Sequence, residues 1–382
     1  MTTGDGAVGQ SEKSPPNSSR DTLTHAAQPA INEQVEVTKT ANTASIHLPG
    51  FELSPEVKPG VTGKTTIDVD GKARDVWLHL PANYDASKPV PLMLVFNGVG
   101  PGGSGMEDFT SMSKKADEQG FAVAYLDGSG FGHSYHTQEW RPSENGDNDV
   151  KYTSQVIDTL ENDLSIDRTR VGLVGFSQGG AFAHLAASQL SGKVSSVAEV
   201  EGWMSGQESR TSSPVSELSI HGMDDRIIPF GGTTQLLKDT ALKVLGYAAI
   251  GPLTDVIAGV SNKLHGDSPL SLTPVELAAV AFQELHNVYI EPQTYTTDQY
   301  KKDDQITGNA EVQTQGNVTR TVYRNDKTGA EVEQIALKHG EHAWNGSTFH
   351  KGDIPLIGEP SNDINTTDEI ANFFMNHPKP TE

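Results

Sequence analysis

The clearest alternation of apolar and polar positions runs from Thr65 to Leu80. Thr65-Thr66-Ile67-Asp68-Val69 and Arg74-Asp75-Val76-Trp77-Leu78-His79-Leu80 flank Asp70-Gly71. A period of two belongs to half-buried strands, and Asp-Gly is a favoured two-residue turn, so a β-hairpin is predicted here, with order beginning near Gly63. Pro91-Leu92-Met93-Leu94-Val95-Phe96 is instead continuously apolar, as in a strand covered on both faces, and it runs into a glycine-rich loop from Asn97 to Gly105. A helix is expected from Met106 to Gln119, closing on Gly120, followed by a strand at Phe121–Tyr125. Asp149 is expected to cap a helix reaching Asn162, with Tyr152, Val156, Ile157 and Leu160 on one face. Val171–Val174 reads as a strand, Ser177 as a turn, and the residues to Leu190 as a helix; Val197–Val200 and Leu218–Ile220 are two further strands. This alternation predicts an α/β fold, a mostly parallel central sheet with helices on both faces.

The rhythm breaks in two places. Residues 1–45, rich in Ser, Thr, Asn, Gln, Pro and Glu, cannot bury enough surface to offset chain entropy and are expected to form a disordered tail, solvated or serving as a docking or export segment. Residues 46–382 form the single large folded domain. Within it, residues 233–287 make a helical insertion with an apolar, Ala/Gly-rich centre; Thr273-Pro274-Val275-Glu276 in it is a capping box. The insertion is either a lid or an extra helical pair packed on the sheet. A second hairpin, Thr319–Tyr323 with Glu331–Leu337, and a helix from Asp368 to Met375 end the chain.

Composition narrows the function classes. The formal net charge of -22 and the absence of any Lys/Arg cluster argue against nucleic acid as a partner. The chain has no cysteine, which removes disulfides, thiolate metal sites and cysteine nucleophiles. No run of 18 apolar residues predicts a transmembrane helix, and Met1-Thr2-Thr3-Gly4-Asp5 lacks the basic and apolar regions of a signal peptide. Oligomeric state is not legible.

The chemistry centres on Gly175-Phe176-Ser177-Gln178-Gly179. With 38 glycines in the chain a Gly-x-Ser-x-Gly pattern arises by chance in roughly one such sequence in three. Its setting is more specific: the motif follows an apolar strand and opens a helix, as a nucleophile elbow requires. A serine hydroxyl needs a base within hydrogen-bond reach and a carboxylate to orient that base, and on such an elbow the acid and then the histidine follow in chain order. Ile220-His221-Gly222-Met223-Asp224-Asp225 offers two acids, of which Asp225, just before Arg226-Ile227-Ile228-Pro229, is preferred to Asp224. Lys338-His339-Gly340-Glu341-His342 offers two bases; His342 is preferred because Gly340 marks where the chain leaves the strand, with His339 expected on the surface. His184 and His221 read as structural, and His133 and His136 as loop residues with at most a substrate contact.

The oxyanion donors are expected from the backbone N–H groups of Gln178 and Val99. Trp344, Trp140 and Trp203 are candidates to line an acyl pocket, against core packing as the alternative for Trp140 and Trp203. Glu144-Asn145-Gly146-Asp147-Asn148-Asp149 is acidic but lacks EF-hand spacing, so neither metal nor cofactor is implied.

Taken in order, Pro91–Gly98, Asp147–Val150, Ile166–Val171, the elbow, His221–Pro229 and Gly340-Glu341-His342-Ala343-Trp344 resemble the polyhydroxybutyrate depolymerase and feruloyl or acetylxylan esterase group of α/β-hydrolases, over residues 64–232 and 317–375. The resemblance implies a secreted-type carboxylic ester hydrolase acting on polyester or on acyl groups of plant polysaccharide, with Ser177, Asp225 and His342 as the triad. Asn97-Gly98 stands where the group has His-Gly, and Asn345 where a proline is usual. The elbow is also similar to that of small carboxylesterases and acyl-protein thioesterases. A peptidase of the same fold and a non-catalytic binding protein on a hydrolase fold are the other readings.

Overall fold

The computed structural model describes residues 52–53, 57–99, 102–130, 148–206, 208–232, 290–351, 353 and 357–379. The expected tail at 1–45, the insertion at 233–287, Trp140, His133 and His136 lie outside the described residues.

A hairpin opens the fold as its alternation requires: β2 (Gly63–Val69) and β3 (Lys72–His79), preceded by the short β1 (Glu52–Leu53), pair antiparallel around Asp70 and Gly71, both at positive φ. The continuous apolar run becomes β4 (Val90–Phe96), buried along its whole length. It is followed by β5 (Ala122–Leu126), β6 (Ile166–Phe176), β7 (Ser196–Val200) and β8 (Ser216–Gly222), then β9 (Glu311–Gln315), β10 (Val318–Arg324) and β11 (Glu331–Leu337). Among the described residues these form one eleven-stranded sheet in the order β1-β2-β3-β5-β4-β6-β7-β8-β11-β10-β9. The six strands from β5 to β11 in that order are parallel, and antiparallel ribbons extend both edges.

Helices cover both faces. On one, α3 (Asp149–Asp163), α4 (Gln178–Leu190) and α5 (Gln293–Asp303) supply Tyr152, Val156, Phe182 and Tyr300 to the larger core. On the other, α1 (Gly102–Thr110), α2 (Met112–Gln119) and α6 (Thr366–Asn376) supply Met106, Phe109, Met112, Ile370 and Phe374. This is the α/β-hydrolase arrangement.

Three expectations need correction. The helix expected over 106–119 is two helices, because Ser111 adopts φ 54° and ends α1 before α2 begins. Asn148, not Asp149, caps α3: its side chain accepts from the Lys151 amide, while Asp149 turns inward to a buried ion pair with Arg74 at 2.8 Å. The strand around Val171–Val174 is longer than its apolar stretch, beginning at Ile166. Both β9 and α5 escape a pattern reading because β9 is exposed throughout and α5 is mostly polar.

Candidate active site

Ser177 sits where β6 turns into α4, at φ 55° and ψ -122°. Such a conformation costs a non-glycine residue roughly 1–3 kcal/mol and survives only where neighbours over-determine it. Two constraints do so here. The Ser177 amide donates to the Val200 carbonyl at 2.9 Å, tying the turn to the end of β7. The strand and helix also close on each other so tightly that a Cβ on Gly175 would stand 2.0 Å from the Gly179 carbonyl oxygen. The glycine spacing of the motif is thus a packing requirement of the elbow.

Asp225 and His342 come from loops that leave neighbouring parallel strands. β8 and β11 are adjacent, and their exits are laced together by Met223 N–H to the Leu337 carbonyl and Asp224 N–H to the Gly340 carbonyl. The exits touch: a Cβ on Gly222 would meet the Gly340 carbonyl at 2.3 Å. In this setting His342 Nδ1 lies 2.7 Å from Asp225 Oδ2, with both side chains buried. The other Asp225 oxygen accepts from the amides of Ile227 and Ile228, at 2.7 and 2.9 Å. Burial pushes the Asp225 carboxyl up, but the His342 charge and hydrogen bond, with His221 and Glu201 adding to them, hold it below the usual range. An ionised Asp225 bonded to Nδ1 places the imidazole hydrogen there and leaves Nε2 to take a proton. Phe176, the residue before Ser177, lies with its ring tilted 5.0 Å from the His342 ring, which sets the end of β6 against the histidine.

Asp224 and His339 form a pair of their own, 3.2 Å apart, with side chains 58% and 62% exposed. The two Asp/His choices in the sequence therefore resolve into one solvated pair and one buried pair.

Gln178, the expected first oxyanion donor, is the first residue of α4 and directly follows Ser177. The loop after β4 lies against the elbow, with a Cβ on Gly98 reaching 3.2 Å from Ser177 Cβ, and Val99 follows with its side chain turned to solvent. The Asn97 side chain, buried, donates to the Gly98 carbonyl at 2.6 Å. Two tryptophans prove to be core residues. Trp344 is 1% exposed, packs on Phe109 and Phe176, and donates its indole N–H to Thr367 at 2.9 Å. Trp203 is equally buried against Ala181, Ile227, Ile228 and Ile290. Both side chains pack in the core and offer almost no surface to an open pocket.

Sequence reading missed a set of buried polar groups behind the site. Glu201, at the end of β7, accepts the Gly222 amide at 3.0 Å and lies 3.4 Å from His221 Nε2. His221 Nε2 is 3.7 Å from Asp225 Oδ2. Glu201, His221 and Asp225 are near enough to one another to hold a metal ion. However, His221 Nε2 stands 2.7 Å from the Ile228 carbonyl, which requires a hydrogen on that nitrogen and takes its lone pair out of play. Deeper along the same strands, Glu199 accepts from Ser219, and burial pushes it up to about 7. His184, as expected, is packed: its Nδ1 meets the Tyr300 hydroxyl at 3.1 Å, and burial pushes it down to about 3.

Residues 134–246 match the Phospholipase/Carboxylesterase family. The chain is 26% identical to NocK of Nocardia uniformis subsp. tsuyamanensis, whose name assigns it to the esterases, over 84% of this chain and 85% of that one. It is 30% identical to the bifunctional acetylxylan esterase/xylanase XynS20E of Neocallimastix patriciarum over 44% of this chain, and spans only 24% of that protein. It is 24% identical to feruloyl esterase B of Piromyces equi over 45% of this chain, spanning 33% of that protein. Among solved structures, an acetyl xylan esterase from Aspergillus awamori aligns over 79% of this chain and 94% of its own, with 12% identity and a TM-score of 0.49.

Proposed function

This chain is an α/β-hydrolase of the esterase type, and from that premise we propose that Ser177, Asp225 and His342 are the triad of a serine esterase acting on feruloyl or acetyl esters of polysaccharide, or on a hydroxyalkanoate polyester. The observation that carries the reading is the buried 2.7 Å contact of His342 Nδ1 with Asp225, with the strained Ser177 following Phe176, whose ring lies 5.0 Å from that of His342.

In this reading His342 Nε2 takes the hydroxyl proton as Ser177 Oγ attacks the ester carbonyl. The negative charge that develops on the carbonyl oxygen is met by the backbone N–H groups of Gln178 and Val99. Asp225 stabilises the imidazolium without taking its proton. Collapse returns that proton to the departing alcohol and leaves an acyl-serine, which water, deprotonated by the same histidine, then hydrolyses. Buried Trp344 packs against Phe176, the residue before the nucleophile.

The test is labelling with a fluorophosphonate together with hydrolysis of p-nitrophenyl esters. Wild type should be labelled at Ser177 and turn over; Ser177→Ala should do neither, and an active Ser177→Ala would sink the assignment. A panel of feruloyl esters, acetylated sugars, hydroxybutyrate oligomers and plain acyl esters ranks the substrate classes by kcat/KM.

A further inference from the structure

Glu201 occupies a costly place. It holds φ 50°, in the left-handed region that non-glycine residues avoid, and its side chain is wholly buried. Its backbone is pinned directly behind the nucleophile: the preceding Val200 carbonyl accepts the Ser177 amide, and the Glu201 amide donates to Ile220 at 3.0 Å. The Glu201 carboxyl lies within 4.8 Å of the Asp225 carboxylate, both wholly or almost wholly buried. It faces His221 on β8 and Glu199 on its own strand, with His342 beyond Asp225.

Two buried carboxyls this close do not both ionise, and the number of partners decides which keeps the proton. Asp225 has two backbone amides and the 2.7 Å contact with His342 to favour its charge, whereas Glu201 has the single amide of Gly222; His221 Nε2 lies near both, 3.4 Å from Glu201 and 3.7 Å from Asp225, and so does not separate them. Asp225 is therefore the anion and Glu201 the acid. Burial, then the Asp225 charge, press Glu201 the same way, well above the usual carboxyl range. Burying a second carboxyl behind a triad acid serves no packing purpose that a methionine or leucine would not serve at lower cost.

We propose that Glu201 is a positioning residue of the esterase site: as the neutral acid it donates a hydrogen bond to Asp225, fixes that carboxylate against His342, and disperses its charge so that the histidine is a weaker base than an unsupported Asp225 would make it. The proposal rests on the triad reading above. Its chemistry is a hydrogen bond only, and no proton leaves Glu201 during turnover.

Glu201→Gln keeps an N–H donor of the same reach, and Glu201→Ala removes it. The experiment is the pH profile of kcat/KM on a p-nitrophenyl ester, with circular dichroism to check the fold. Glu201→Ala should move the acidic limb upward by about one pH unit and lower kcat on the order of tenfold. Glu201→Gln, which keeps a weaker donor, should move the limb less than half as far as Glu201→Ala and keep kcat within about threefold. A folded Glu201→Ala whose limb coincides with wild type would overturn the proposal, since a structural support lowers activity without moving that limb.

Should Glu201→Ala not fold, the downfield proton NMR signal of His342 Nδ1–H decides between wild type and Glu201→Gln. An amide is a weaker donor than a carboxylic acid, so the resonance moves if Glu201 acts on Asp225; identical resonances overturn the proposal. Fluorophosphonate labelling of wild type separates the two readings: failure to label at Ser177 removes the triad nucleophile, whereas a labelled enzyme with unmoved limb and resonance removes only the role of Glu201.

Discussion

At the scale of single residues, the buried and the solvated Asp/His pairs differ in what they can do. A histidine bonded to a carboxylate out of water keeps one tautomer and one orientation, whereas the exposed pair of Asp224 and His339 is screened and free to part. The expected outcome is a sharp split. Ser177→Ala and His342→Ala should lose on the order of 10⁶ in kcat and Asp225→Asn about 10⁴. Asp224→Asn and His339→Ala should stay within about twofold of wild type, because a solvated pair contributes little. Ester hydrolysis assays on the five variants check this; a large loss in either of the last two would move the site to the surface pair.

Elements show how adjacent polar residues take opposite roles. Asn148 and Asp149 both suit a helix start, but Asn148 caps α3 while Asp149 faces inward to Arg74 and accepts from the Ser129 amide at 3.0 Å. Asn148→Ala should cost about 1 kcal/mol, the value of a cap. Asp149→Ala should cost about 3–5 kcal/mol, because it leaves the Arg74 guanidinium buried without its counter-charge. Urea unfolding of both variants measures the difference, and equal costs would mean that the Arg74 pair is not the anchor it looks to be. Arg74 lies on β3 and Asp149 at the start of α3, so the pair ties the hairpin to the helix layer.

The molecule as a whole is strongly acidic, and part of that acidity is inside. Burial pushes Glu199 and Asp304 each up to about 7, and Glu217 is raised well above the usual range, first by burial and then by Glu199. Neither Glu217 oxygen has a hydrogen-bond partner among the described residues. An unfolded chain releases the Glu199 proton near pH 4.5 and the Asp304 proton near 3.8, while the fold holds both until about 7. Between those values the native state binds more protons than the unfolded state, so stability falls as pH rises, by about 1.4 kcal/mol per pH unit for each proton withheld. Thermal unfolding should therefore show a falling Tm from pH 5 to 7. Glu217→Met, which removes an unsatisfied buried carboxyl, should raise stability at pH 7 by about 1–3 kcal/mol. An unchanged or lower Tm in this variant would show that Glu217 has a partner after all.

Local physics made much of this legible in one dimension. The hairpin at Asp70-Gly71, the buried β4, the elbow around Ser177 and the strand pair at the C-terminal end each write their pattern within a dozen residues, because backbone conformation and side-chain period are set by near neighbours. Candidate acid and base were legible too, but only as choices, since the sequence order of Asp224, Asp225, His339 and His342 does not say which pair is withdrawn from water. Tertiary structure decided that by placing β8 beside β11 and closing Gly222 on Gly340. It also turned Trp203 and Trp344 into core residues, and brought Glu201 and His221 from separate strands to Asp225. Strand adjacency across a parallel sheet joins residues far apart in the chain, and no local pattern records it.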